Sequence, residues 1–157
     1  MNYTTDIFTQ FDRKWALLTA GTPDDFNMMT VSWGGMGTLW SRPVVTVYVR
    51  TSRYTFPYME KGDTFTVSFY PEEQKKLLAV LGTMSGREMD KMHGSGLTPV
   101  GAGGCVTFEE AQTTLVCKKL FSQLLPAEKI PEEIVKECYS GDAEHVMFIG
   151  EVTQIIR

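Results

Sequence analysis

The chain has 157 residues and a mass of 17.7 kDa. That length predicts one domain over residues 1–157, large enough to bury about 68–70% of its unfolded surface without disulfide staples. Hydrophobic residues make up 43% and charged residues 22%, which excludes collagenous, coiled-coil and disordered classes. With 15 Lys+Arg against 19 Asp+Glu the net charge is -4 and the pI about 5.2, so nucleic acid meets no overall attraction and any anion site must be local.

No apolar run approaches the roughly 20 residues of a membrane-spanning helix, since Val44–Val49 stops at Arg50. The start, Met1-Asn2-Tyr3-Thr4-Thr5-Asp6, has neither a basic nor an apolar signal region, and the expectation is a cytoplasmic protein that touches neither membrane nor nucleic acid. Cys105, Cys117 and Cys138 are odd in number and widely spaced, which points to reduced buried thiols rather than a zinc or dithiol motif.

In chain order, Trp15–Thr19 predicts a first strand, ended by Gly21, Pro23, Asp24 and Asp25, and Asn27–Trp33 a second. Gly34, Gly35 and Gly37 break the pattern. The β-branched run Val44–Arg50 predicts a buried strand, and Thr64–Tyr70 another. Between them Ser52 is placed to cap a short helix over Arg53–Glu60, ended by Gly62. Pro71-Glu72-Glu73 opens the clearest helix, with Leu77, Leu78 and Leu81 as its apolar face and Gly82 as its stop. Ser85–Met92 has capping-box spacing, with Glu88 three residues after Ser85. A glycine-rich loop over 94–104, a strand over Thr113–Leu125, a short helix from Pro131 and a last strand over His145–Ile156 complete the chain. The connections are too short for a βαβ succession, so a closed or split antiparallel barrel fits best.

Several chemistries lack their parts. Gly35-Met36-Gly37 and Gly101-Ala102-Gly103-Gly104 are followed by strand rather than helix and lack the third glycine of a dinucleotide fingerprint. There is no phosphate-cradling G-x-x-x-x-G-K-[ST] and no G-x-S-x-G elbow. His93 reads as a solvated loop residue and His145 as a capping or interface residue; neither has the spacing of a metal ligand.

Two segments stand out. Arg50-Thr51-Ser52-Arg53-Tyr54-Thr55 combines two guanidinium groups, three hydroxyls and the amides of a helix start, a donor set suited to a phosphate monoester. Residue types alone weigh this equally with a capped helix carrying two solvated arginines. Asn27-Met28-Met29-Thr30-Val31-Ser32-Trp33, with its glycine-rich exit, is either a methionine-filled core strand or a backbone and hydroxyl edge for a flat heterocycle, with Trp33 as a stacking surface.

In order and spacing, N-x-M-T-V-S-W near position 30, the block at 43–55, F-T-V-S-F with P-E-E at 65–73, S-G-R-x-x-D-K at 85–91 and the ending His145-x-Met147-Phe148-Ile149-Gly150-Glu151-Val152 resemble the flavin reductase-like, FMN-binding split-barrel family that includes flavoredoxin. The resemblance covers nearly the whole chain from about residue 12. It implies a mainly β fold, a six-stranded antiparallel split β-barrel with a few short peripheral helices, and a homodimer holding FMN at or near its interface. Carried over by position, Met28, Thr30, Val31, Ser32 and Trp33 match the segment that lines the isoalloxazine. Arg50, Ser52, Arg53, Tyr54 and Thr55 match the phosphate and ribityl block, and Ser85, Gly86, Arg87 and Lys91 a third contributor. Arg87 and Lys91 are four apart, so a helix would put both on one face.

No catalytic acid or base and no metal are expected, because the chemistry of such a protein belongs mostly to its cofactor. The implied activity is NAD(P)H-dependent flavin oxidoreduction, with electrons passing from NADH or NADPH through FMN to a small-molecule or protein acceptor. The alternatives are a flavoredoxin-like carrier without nicotinamide turnover, an oxidase of a phosphorylated small molecule like the pyridoxamine-phosphate oxidases, and a non-catalytic split-barrel module.

Overall fold

The computed structural model describes residues 1–87 and 90–157. Its strands are β1 (Ala16–Thr22), β2 (Asp25–Val31), β3 (Gly34–Leu39), β4 (Arg42–Arg50), β5 (Thr64–Phe69), β6 (Pro99–Ala102), β7 (Cys105–Phe108), β8 (Thr113–Leu124) and β9 (His145–Ile156). The helices are α1 (Ile7–Asp12), α2 (Phe56–Lys61), α3 (Lys75–Thr83), α4 (Lys91–Ser95) and α5 (Glu132–Tyr139). Seven strands form one antiparallel sheet in the order β2-β1-β5-β8-β9-β4-β3, and β6 and β7 form a separate hairpin.

The sheet wraps around a single interior. Residues of β1, β2, β4, β5, β8 and β9, among them Leu18, Val31, Val47, Val67, Leu115 and Phe148, meet in one buried cluster. The other face of β1 and β2 is covered too: Leu17 and Met28 pack with Leu78 and Leu81 of α3 and with Val106 and Phe108 of β7. Burial on both faces explains why β1 is buried without a break from Ala16 to Ala20 instead of alternating.

The mainly β barrel architecture matches the sequence reading, with seven strands in the main sheet where six were expected. The added strand is β3. Its glycines do not end the sheet, because Gly34, Gly35 and Gly37 keep negative φ and pair with Val47, Thr46 and Val44 of β4. Trp40 and Ser41 close this hairpin at φ 52° and 56°, a left-handed conformation uncommon outside glycine and asparagine. The expected 94–104 loop likewise contains β6 and the turn into β7.

Three helix boundaries differ from expectation, each for a local reason. α2 starts at Phe56, because Ser52 donates to Asp142 Oδ1 (2.7 Å) instead of capping, and Arg50–Phe56 is a pair of tight turns. Gly82 does not stop α3, which runs to Thr83 after a 3-10 turn over Glu72–Gln74. A Cβ at Gly82 would lie 3.1 Å from Thr30 Cβ, so glycine there lets the helix lie directly on β2. Ser85–Met92 is not one helix: residues 86 and 87 form a turn, Glu88 lies outside the described residues, and α4 starts at Lys91 under an Asp90 cap.

Candidate functional site

The two standout segments meet where the end of β2 faces the turn leaving β4. A cleft of about 180 Å³ is lined there by Thr30, Val31, Ser32 and Trp33 from the first and by Arg50 and Arg53 from the second. A neighbouring cleft of about 490 Å³ brings Met28 and Tyr54 together with Gly86, Arg87 and Lys91. Ser52, Thr55 and Ser85 line neither. Thr55 is buried and accepts from Asn27 Nδ2 at 2.8 Å, and Ser85 Oγ accepts the Arg87 amide at 3.2 Å.

α3 supplies the local electrostatics. Thr30 Oγ1 donates to the Leu78 carbonyl, fixing the helix on β2, so the carbonyls of the last turn of α3 point at the junction of the two clefts. Arg53 Nη1 donates to Gly82 O at 3.0 Å, and Lys91 Nζ donates to Leu81 O and Met28 O, each at 3.0 Å. The helix C-terminus carries partial negative charge, which supports both cations. Among the described residues neither cation has a carboxylate within salt-bridge distance. Arg53 Nη2 is buried with no hydrogen-bond partner among the described residues. An orphaned guanidinium nitrogen is costly unless an acceptor arrives, so this donor set fits a phosphate oxygen.

The other basic groups are committed differently. Arg50 donates to Ala143 O and Cys138 O (both 2.8 Å), stands 3.5 Å from Asp142 and lies over the Tyr139 ring, tying β4 to α5 and the loop after it. Arg87 Nη1 donates to Ser52 O at 3.0 Å and its guanidinium stacks on Tyr54 at 5.4 Å. Arg87 and Lys91 therefore line one cleft without sharing a helix. At Gly86 a Cβ would fall 2.5 Å from the Tyr54 ring, so glycine permits this close approach.

Sequence reasoning missed two contributors. His145 sits in the wall of the smaller cleft, 5.2 Å from the Trp33 ring, with Nδ1 2.7 Å from the Tyr139 hydroxyl. Burial, reinforced by the Arg50 charge, lowers its pKa to about 4, so it is a neutral imidazole at physiological pH. Tyr48 lines the same cleft. Its position two residues before Arg50, hence on the same strand face, was the available signal. His93 by contrast is exposed and pairs with Asp90 on the surface. Among the described residues no group of three or more His, Cys, Asp or Glu is placed to hold a metal ion, and no helix is long and apolar enough to cross a membrane.

Lys91 generates a pH prediction. Burial, helped by the Arg53 charge, lowers its pKa from 10.5 to about 8. Between these values the unfolded chain binds the extra proton, so this group's contribution to stability rises with pH from about 8 to 10.5. In urea titrations across that range, wild type should gain stability relative to Lys91→Met. A constant difference would show that the ammonium is not strained by burial.

Comparison with known proteins assigns the chain to a family. The chain matches the model of the flavin reductase like domain over residues 8–157, whereas no curated protein matches it. An FMN-binding protein from Thermus thermophilus, solved with bound 1-cyclohex-2-enone, aligns with TM-score 0.72 and 22% identity over 100% of this chain and 77% of its own. Flavoredoxin from Methanosarcina acetivorans aligns with TM-score 0.71 and 20% identity over 99% and 74%. The styrene monooxygenase flavin reductase from Pseudomonas putida S12 gives TM-score 0.67 and 22% identity over 91% and 78%. The likenesses establish a shared fold, and the family match extends over nearly the whole sequence: the chain belongs to the flavin reductase like domain family.

Proposed function

We propose that this protein binds FMN and works as an NAD(P)H-dependent flavin oxidoreductase. The observation that carries the reading is the buried Nη2 of Arg53 beside Lys91, a nitrogen with no partner among the described residues, on one of two cations that are held by backbone carbonyls and have no described carboxylate within salt-bridge distance. A ribityl phosphate supplies the missing acceptor, with Arg87 and Tyr54 on the far wall of the adjoining cleft. Family membership and FMN-binding structural relatives support the choice of ligand.

Bound FMN would accept a hydride equivalent from a nicotinamide and pass electrons on. The chain's own residues bind, orient and shield. Thr30, Val31 and Ser32 offer a polar strand edge to a flat ring, Trp33 and Tyr48 offer aromatic surface, and neutral His145, held by Tyr139, adds an uncharged polar wall. Arg50 gives this cleft positive charge while remaining locked to the α5 loop.

A homodimer completes the site in this reading. The smaller cleft holds about 180 Å³ in one copy, below the roughly 300 Å³ at which small-molecule pockets begin. It opens onto a sheet face that continues through Tyr48, Met147 and Ile149 to Phe121, with Trp33 45% and Phe121 40% exposed. A second copy on this face would cover the exposed aromatics and close the cleft. Sedimentation should show a dimer in the FMN-bound protein; a monomer retaining FMN contradicts this.

Two experiments test the rest. Arg53→Ala should weaken FMN binding at least about tenfold, the loss of about 1.4 kcal/mol or more from one charge-assisted contact; unchanged affinity removes Arg53 from the site. Anaerobic NADH or NADPH should bleach the flavin absorbance of the loaded protein. Failure of both donors, with rapid bleaching by a reduced redox protein, contradicts the nicotinamide activity and identifies an electron carrier.

A further inference from the structure

α5 has no buried residue, so polar contacts, chiefly those of Arg50, hold it on the barrel. The Arg50 guanidinium donates to Cys138 O and Ala143 O and lies 5.1 Å from the centroid of the Tyr139 ring. This clamp sets the Tyr139 hydroxyl 2.7 Å from His145 Nδ1. The imidazole is bracketed by the Tyr139 ring at 5.5 Å and the Trp33 ring at 5.2 Å, and its backbone pairs with Arg50 at the start of β9. The ring is thus held with Nδ1 toward Tyr139. Its other nitrogen, Nε2, makes no hydrogen bond among the described residues and is not one of their buried unpartnered atoms. Nε2 is therefore open to the cleft whose wall the ring forms with Ser32, Trp33 and Tyr48.

A neutral imidazole has one N–H and one bare nitrogen, and the hydrogen bond made at one fixes the state of the other. Burial and the Arg50 charge keep His145 neutral. Two arrangements then satisfy the 2.7 Å contact: the Tyr139 hydroxyl donates to a bare Nδ1, or Nδ1–H donates to the hydroxyl oxygen. The first is favoured on three grounds. A phenol is the stronger donor of the pair and an imidazole nitrogen the stronger base. Nδ1 is the only partner of the hydroxyl among the described residues, so the second arrangement leaves the hydroxyl proton with no acceptor there. Burial keeps the hydroxyl protonated, while the guanidinium over its ring draws electron density away and makes it a better donor and a poorer acceptor.

We propose that Tyr139 is a positioning residue: it donates to Nδ1 of His145 and so fixes the tautomer whose Nε2–H faces the cleft, where it donates to an acceptor atom of the bound flavin ring. The inference rests on the reading that places that ring in the cleft. Electron density on the acceptor atoms of a flavin rises on reduction, so an uncharged donor holds the reduced ring more tightly than the oxidised one and raises its potential. Without the Tyr139 hydroxyl the other tautomer becomes available, and its bare Nε2 repels the same atom.

The test reads the tautomer and the potential separately. Nitrogen NMR spectra of the free protein, labelled at histidine and recorded at neutral pH, should show His145 with Nδ1 bare and Nε2 protonated; His93→Gln removes the signals of the one other histidine. Tyr139→Phe should give a mixture of tautomers. Nδ1 protonated in wild type, or an unchanged spectrum in Tyr139→Phe, overturns the inference, and the wild-type spectrum decides the tautomer even if the variant does not fold. In the loaded protein Tyr139→Phe should weaken reduced FMN relative to oxidised FMN about tenfold, a fall of about 30 mV in the two-electron potential. That shift should vanish in a His145→Phe background, because Tyr139 acts only through the imidazole. No shift in Tyr139→Phe, or an equal shift in the His145→Phe background, overturns the inference and leaves the FMN reading intact. Failure of the wild type to bind FMN overturns that reading and the donor role together, with the tautomer still decided by the spectra.

Discussion

Two cations that lean on the same helix end, half-buried Arg53 and buried Lys91, neither with a carboxylate within salt-bridge distance among the described residues, are the basis of the proposed anion site. Arg53 and Lys91 donate to the carbonyls of Gly82 and Leu81, where the dipole of α3 offers only a fraction of a negative charge. Among the described residues the two positive charges have only more distant carboxylates for company, Asp142 acting on Arg53 and Asp25 and Asp90 in the wall of the Lys91 cleft, none of them within salt-bridge distance of either cation. A paired carboxylate would have neutralised the spot and closed it to ligands. Backbone carbonyls hold the cations in place and leave their charge available, which is how an acidic protein can keep an anion site.

The rest of the fold serves that placement. Burial of β1 and β2 on both faces makes the sheet a stiff platform for α3. Gly82 brings the helix against Thr30, and the Thr30 hydroxyl binds the Leu78 carbonyl. Arg53 reaches the helix end because the chain leaving β4 makes two tight turns before α2 begins, anchored beneath by Thr55 on Asn27. Arg50 and Ser52, by joining Asp142 and the α5 loop, hold the outside of the same turn. Of a block rich in arginine and hydroxyl groups, most members thus fix the shape of the turn, and one nitrogen, Arg53 Nη2, has no partner among the described residues.

The strands were legible where burial writes a pattern. Val44–Arg50, Thr64–Tyr70 and His145–Ile156 emerge within a few residues of β4, β5 and β9, because β-branched runs between turn residues have few other solutions. β3 was hidden because Gly34, Gly35 and Gly37 have no strand preference of their own; cross-strand pairing with β4 decides their conformation. At helix ends competition decides. Ser52 and Gly82 have the right chemistry for a cap and a stop, but Asp142 and Thr30 make better use of them. The residue types of the candidate site could be read from the sequence, whereas His145 could not be placed, since its position depends on the distant contacts of Tyr139 and Trp33.

The account stands on an anion completing the Arg53 and Lys91 pair, and comparison of FMN with riboflavin, which lacks only the phosphate, tests it most directly. At about 1.5–3 kcal/mol for each charge-assisted hydrogen bond, two such bonds predict that riboflavin binds at least about a hundredfold more weakly than FMN near pH 7. Equal affinity for the two flavins would contradict the account.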